Sequence, residues 1–143
     1  MKILAIRGKN LASLDGEFQI DFNSEPLKSA GIYAITGNTG SGKSTILDAL
    51  CLALFDDMPR NQSTESISIL DTNDKYINQT DSRNILRKGT ADGYAEVDFI
   101  ALDHNTYRSR WSVRRSRDKI DGSLQLVEMR LTNLSANQEI PGK

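Results

Sequence analysis

Eight consecutive residues, Gly37-Asn38-Thr39-Gly40-Ser41-Gly42-Lys43-Ser44, fit the pattern G-x-x-x-x-G-K-[ST]. That spacing lets main-chain N–H groups converge on phosphate oxygens. Glycines at 37, 40 and 42 free the backbone for the conformations this requires. A helix opening near Lys43 adds unpaired N–H groups and the positive end of its dipole. The Lys43 ammonium would reach β- and γ-phosphates, the Ser44 hydroxyl would take Mg²⁺, and Thr45 would meet the α-phosphate.

A phosphate loop binds; hydrolysis also needs a carboxylate for Mg²⁺ and a group to orient water. Two aspartates follow short apolar runs, Asp103 after Phe99-Ile100-Ala101-Leu102 and Asp71 after Ile67-Ser68-Ile69-Leu70. His104, not a glutamate, follows Asp103, and its run alternates like a one-faced strand, so a hairpin-turn aspartate is the expectation. No catalytic carboxylate is expected within the chain.

Another constellation lies between Arg108 and Lys119, where Arg108, Arg110, Arg114, Arg115, Arg117 and Lys119 stand against Asp118 alone. On a strand, Arg108, Arg110 and Arg114 share a face. Together with Arg115 they are candidates for phosphodiester contact without base reading. Trp111 and Tyr107 face the other way and are expected in the core.

The elements that must position these groups follow from periodicity. Residues 2–7 predict a first strand, and Phe18, Ile20 and Phe22 alternate with polar residues as a strand with one wet face. The run Gly31-Ile32-Tyr33-Ala34-Ile35-Thr36 predicts a strand buried on both faces. Residues 44–55 predict a helix whose apolar stripe runs almost all round, hence a buried one, with Cys51 as a small buried apolar residue. Met58-Pro59 ends it. Residues 60–84 are polar and predict a long surface excursion or partly disordered loop. Ala95, Val97 and Phe99, then Tyr107, Trp111 and Val113, then Val127, Met129 and Leu131 alternate in strands separated by polar turns, an antiparallel meander with one buried face. The fold class is mixed α/β, with a parallel-type strand–loop–helix nucleotide unit near the start and an antiparallel sheet at the end.

Composition bounds the rest. The 143 residues suit one domain, and 18 basic against 19 acidic side chains exclude a globally basic coat. The balance hides an uneven spread, because residues 104–143 carry eight basic and four acidic groups. The longest apolar run, Ala49 to Phe55, spans seven residues, too short for a membrane. A single cysteine and a single histidine exclude an internal disulfide and a Cys/His zinc cluster. These features predict a soluble, cytoplasmic protein.

The opening Met1-Lys2-Ile3-Leu4, Lys9-Asn10-Leu11-Ala12-Ser13-Leu14 and Ile20-Asp21-Phe22 resembles SMC-like ATPases. The stretch from Gly31 through the loop to Leu54 resembles the SbcC family of bacterial nuclease-complex ATPases in particular. Ile85-Leu86-Arg87-Lys88-Gly89, Ala95 to Phe99 and Trp111 to Arg115 strengthen the likeness. The resemblance implies a P-loop NTPase with an ABC/SMC-type head split into two lobes and joined by a coiled coil. Residues 1–143 would be the N-terminal half-domain, ending just before the family's glutamine loop. The C-terminal lobe would supply the Mg²⁺ aspartate, the catalytic glutamate and a signature loop that caps ATP on a second head. An SbcD-like nuclease and double-stranded DNA ends would be partners, in double-strand-break repair. Alone, such a lobe would bind ATP weakly and hydrolyse it near background. Many relatives carry arginine where Ala12 stands, leaving Arg7 and Lys9 as weaker candidates for that role.

Other readings of the phosphate loop are an ABC transporter component, a small-molecule kinase using Arg83 and Arg87 for its acceptor, and a nonenzymatic module. An antiparallel meander after residue 90, rather than a continuous parallel sheet, separates the repair ATPase from the kinase.

Overall fold

A computed structural model of the chain describes residues 1–61, 67–72 and 75–141. In chain order it has β1 (Lys2–Leu11), β2 (Leu14–Asp21), α1 (Lys43–Phe55), β3 (Ser68–Leu70), β4 (Tyr76–Asn78), β5 (Asp92–Ile100), β6 (Thr106–Arg114), β7 (Glu128–Asn133) and β8 (Gln138–Ile140). Six of these strands form one antiparallel sheet in the order β2-β1-β5-β6-β7-β8, and β3 pairs with β4 in a separate hairpin. The meander after residue 90 is therefore present, whereas the parallel-type unit expected near the start is not, because every strand pair among the described residues is antiparallel and no strand lies between β2 and α1.

Period-two patterning sets the two faces. Ile20, Ile6, Val97, Ser109 and Leu131 lie across from one another in register on the face toward α1. Gly8 sits opposite Phe18, and a Cβ there would meet the Phe18 ring at 2.5 Å, so glycine lets the ring lie flat over β1. The helix packs on β1, β5 and β6. Ala49, Leu52 and Ala53 meet a layer containing Leu11, Ala95, Val97 and Trp111, all fully buried. Small alanines on both layers make room for the indole. Asp56 ends α1 in the left-handed region, and its carboxylate accepts from Trp111 Nε1 at 2.6 Å and Ser82 Oγ at 2.8 Å.

Three expectations need correction. The run 31–36 is not a strand buried on both faces; it has no ladder partner among the described residues, and Ile32 is 91% exposed. Apolar composition supplies burial but not a hydrogen-bonding neighbour, and none of the described strands pairs with this run. Tyr33 to Thr36 of the run instead line a groove of about 660 Å³ with Ile6, Ile20, Phe22 and Leu47, and the Tyr33 and Phe22 rings stand 4.9 Å apart. The helix is not buried all round, because Thr45, Asp48, Ala49, Leu52 and Ala53 are buried while Leu47 and Phe55 are exposed. One sheet covers one side of a helix, whatever the apolarity of the other. Cys51 is accordingly half-buried.

The polar stretch 60–84 contains the β3–β4 hairpin and a short helical turn at Ser82–Ile85; its expected disorder at 62–66 and 73–74 lies outside the described residues. Arg115, 4% exposed, clasps the hairpin to the sheet. Its guanidinium donates to both Asp71 oxygens at 3.1 and 2.7 Å, to Thr72 Oγ1 at 3.0 Å and to the Gly122 carbonyl at 3.0 Å.

The hydrogen bond from Arg115 holds the Asp71 carboxyl below its ordinary 3.8. On unfolding, Asp71 regains the higher affinity for protons. The clasp therefore contributes fully above the ordinary carboxylate range and is lost as pH falls through the depressed folded value. Asp71→Asn should lower Tm at neutral pH, with the gap to wild type narrowing as pH drops from about 5 to about 2. Tm curves for the two proteins that stay parallel across that range would refute this origin of acid sensitivity.

Candidate nucleotide site

The phosphate loop joins the run 31–36 to α1. Gly40 and Gly42 have φ of 82° and 89°, in the left-handed region where a side chain is strained. Gly42 has a second reason to be glycine, since a Cβ there would meet Leu14 Cδ2 at 2.5 Å. The loop thus rests against the β1–β2 turn. Ser41 N donates to the Asn38 carbonyl at 3.2 Å, closing the bend.

Gly42 is the N-cap of α1 and carries no side-chain cap, and the first turn holds no acidic residue. The first intrahelical bond runs from Ile46 N to Gly42 O at 3.3 Å, so the N–H groups of Lys43, Ser44 and Thr45 have no intrahelical acceptor. Three donors and a dipole end therefore meet beside the loop with no carboxylate against them. Lys43 Nζ donates to the carbonyls of Gly37 and Asn38, both at 2.7 Å, curling back over the loop. A cavity of about 280 Å³ opens alongside, lined by Ala12, Ser13, Gly40, Gly42, Lys43, Ser44, Thr45 and Arg60. Ser44 is exposed and Thr45 buried at its floor. The donor set suits an anion of phosphate type, with a hydroxyl placed for a hard cation.

The β1–β2 turn is held over this cavity by Arg87, which donates to the Ala12 and Ser13 carbonyls at 3.1 Å each. Arg83 pairs with Asp81 at 2.6 Å. Both arginines that a kinase reading would assign to an acceptor are thus engaged in the fold. Arg7 and Lys9 do not line the cavity; they bond to Asp98 at 2.8 Å and Asp92 at 2.9 Å on the far face of the sheet. Beside Lys43, the cavity is lined by a second cation, Arg60, which sequence reasoning misses. It belongs to no motif, and only the fold brings it back over the loop.

Neither aspartate that follows an apolar run lies among the residues lining this cavity. Asp103 sits in the β5–β6 turn and accepts from Tyr107 Oη at 2.6 Å and Asn105 N at 3.1 Å, as a hairpin-turn aspartate does. Asp71 belongs to the Arg115 clasp. Among the described residues no group of three or more His, Cys, Asp or Glu is placed to hold a metal.

The basic strand is not a stripe of free positive charge. Arg108 and Arg110 project from the face away from α1, opposite Asp98 and Glu96 of β5. Arg108 bonds to Asp98 at 2.7 Å and Arg110 to Glu96 at 2.8 Å, and Arg7 joins both acids from β1. Burial pushes the Asp98 carboxyl up, but the bonds from Arg108 and Arg7 outweigh it and leave it below its ordinary value. Arg110 also stacks 3.8 Å above the Tyr94 ring. Arg114 is exposed, while Arg115 is buried. Sequence shows alternation along β6; it cannot show that acids alternate in register on β5.

Comparison with known proteins finds relatives of this chain. The SbcC component of nuclease SbcCD from Pseudomonas aeruginosa is 58% identical over 138 residues, covering 96% of this chain and 11% of the relative. Its counterpart from Rhodobacter capsulatus is 49% identical over 139 residues, again 96% and 11%. That from Bacillus subtilis is 50% identical over 60 residues, 42% of this chain and 5% of the relative. The chain spans about a tenth of the length of the first two relatives, 11% in each case. Among the described residues no helix is long and apolar enough to cross a membrane. A family model described as an AAA domain matches residues 5–141, nearly the whole α/β unit and all of its phosphate loop, and the chain belongs to that AAA-domain family.

Proposed function

We propose that this chain is the phosphate-loop lobe of an SbcC-like ATPase, an ABC/SMC-type head that binds Mg²⁺–ATP and couples it to processing of DNA ends. The observation that carries the reading is the uncapped start of α1. Three N–H donors, Lys43 and the Ser44 hydroxyl converge there, on a chain that is 58% identical to an SbcC protein over most of its length. Residues Gly37 to Gly42 cradle the phosphates, Lys43 neutralises them, Ser44 takes Mg²⁺ and Thr45 closes the floor. Mg²⁺, when bound, supplies charge neutralisation on the phosphate oxygens.

The exposed apolar run 31–36 and its groove support a head completed by a C-terminal lobe of the same protein. That lobe would pair with the run and bring the carboxylates for hydrolysis. A second head would cap the nucleotide, with an SbcD-like nuclease and double-stranded DNA ends as further partners. On the basic strand, Arg114 and the outer ends of Arg108 and Arg110 are what a DNA backbone could meet; Arg115 is not. The alternative of an ABC transporter component shares the loop but is less favoured by the meander and by the similarity to SbcC.

Titration of the chain with fluorescent ATP and Mg²⁺ should show weak binding, and ATP turnover should stay at background until the C-terminal lobe is added. Turnover by the chain alone that Lys43→Ala abolishes would overturn the split-head reading.

A further inference from the structure

We propose that Arg60 is a second cation for the phosphate chain, held in place by the buried Asp48; this rests on the nucleotide reading above. Arg60 lies in the short turn Pro59–Asn61 after α1, and its side chain lines the cavity with Gly40, Lys43, Ser44 and Thr45. Asp48 sits on α1 one turn beyond Ser44, on the buried side of the helix. It forms an ion pair with Arg60 Nη2.

The pair is asymmetric. The Asp48 side chain is 5% exposed and the Arg60 side chain 46%. The carboxylate faces the protein, and the guanidinium is the half that faces the cavity. A guanidinium carries five N–H donors in a plane and can serve a carboxylate and a phosphate together. Anchoring by Asp48 lowers the entropy lost when the phosphate is engaged. The pairing also neutralises Asp48, one helical turn beyond Ser44, whose bare charge would disfavour an anion nearby. Ala12 and Ser13, which also line the cavity, bring only short side chains to it and leave room for an anion.

A purely structural role is the competing account, in which Arg60 only neutralises Asp48. The variants Arg60→Gln and Asp48→Asn/Arg60→Gln separate the two. The double variant leaves no stranded carboxylate, so it keeps a neutral hydrogen-bonding pair while removing the cation. Fluorescent ATP with Mg²⁺ is titrated into the 143-residue chain, with Tm followed in parallel. Both variants should bind about tenfold more weakly than wild type, the loss of one charge-assisted contact. The double variant should do so with a Tm close to wild type. Binding by the double variant within about twofold of wild type would overturn the proposal, because a factor of two is far below one such contact. Should Arg60→Gln fail to fold, the double variant alone decides. Absence of binding by wild type itself, unchanged by Lys43→Ala, would overturn the nucleotide reading, and this inference with it.

Discussion

Lys43→Ala is expected to weaken binding of Mg²⁺–ATP on the order of a hundredfold while leaving Tm nearly unchanged. The two halves of that expectation have separate causes. Lys43 Nζ bonds to the carbonyls of Gly37 and Asn38 on the rim of the loop, and the side chain is only half-buried. Losing such contacts costs little stability, and alanine is a better helix former at the start of α1. Phosphate binding differs. The N–H donors of the loop orient an anion, but Lys43 brings the full charge nearest the loop's own amides. Its removal leaves a cradle of dipoles and Arg60. Isothermal titration and a thermal melt on the same preparation check both halves. An affinity within about threefold of wild type would show that the loop does not hold a triphosphate, whereas a large fall in Tm would mean that the loop itself had collapsed.

Trp111→Ala is expected to destabilise the chain by about 3–5 kcal/mol, enough to unfold much of it at ambient temperature. Trp111 is fully buried at the centre of β6, opposite Ala95 of β5 and Met129 of β7. The helix face in the same core cluster includes the small residues Ala49 and Ala53, which cannot fill the space the indole leaves. The substitution also strips the Nε1 donor from Asp56, the residue that ends α1. Trp111→Phe separates these effects, since it keeps most of the volume and loses only the hydrogen bond, for about 1–2 kcal/mol. Urea unfolding followed by far-ultraviolet circular dichroism measures both variants. A midpoint for Trp111→Ala equal to that of wild type would place the core elsewhere. Because the start of α1 carries the phosphate loop, Trp111→Ala should also weaken nucleotide binding, and Trp111→Phe should not.

Local sequence determined the parts of this protein that depend on a few adjacent residues. The phosphate loop is legible because the positive φ of Gly40 and Gly42, the donors of Lys43 to Thr45 and the uncapped helix start arise from neighbours in the chain. The meander is legible because alternation of Val97 with Asp98, or of Trp111 with Arg110, is a property of each strand alone. Tertiary structure decided what lies across from each residue. Arg108 and Arg110 carry the same charge whether their neighbours on β5 are acids or not, so neutralisation by Glu96 and Asp98 is a fact of register. Arg115 looks like one more surface cation until Asp71 and Gly122 close around it. The run 31–36 has the composition of a buried strand, yet burial requires a neighbour, and none of the described strands pairs with it. Arg60 enters the site only because the turn after α1 comes back to the buried Asp48. Propensity and periodicity act over one element; charge pairing and burial act between elements, and only the folded chain fixes those distances.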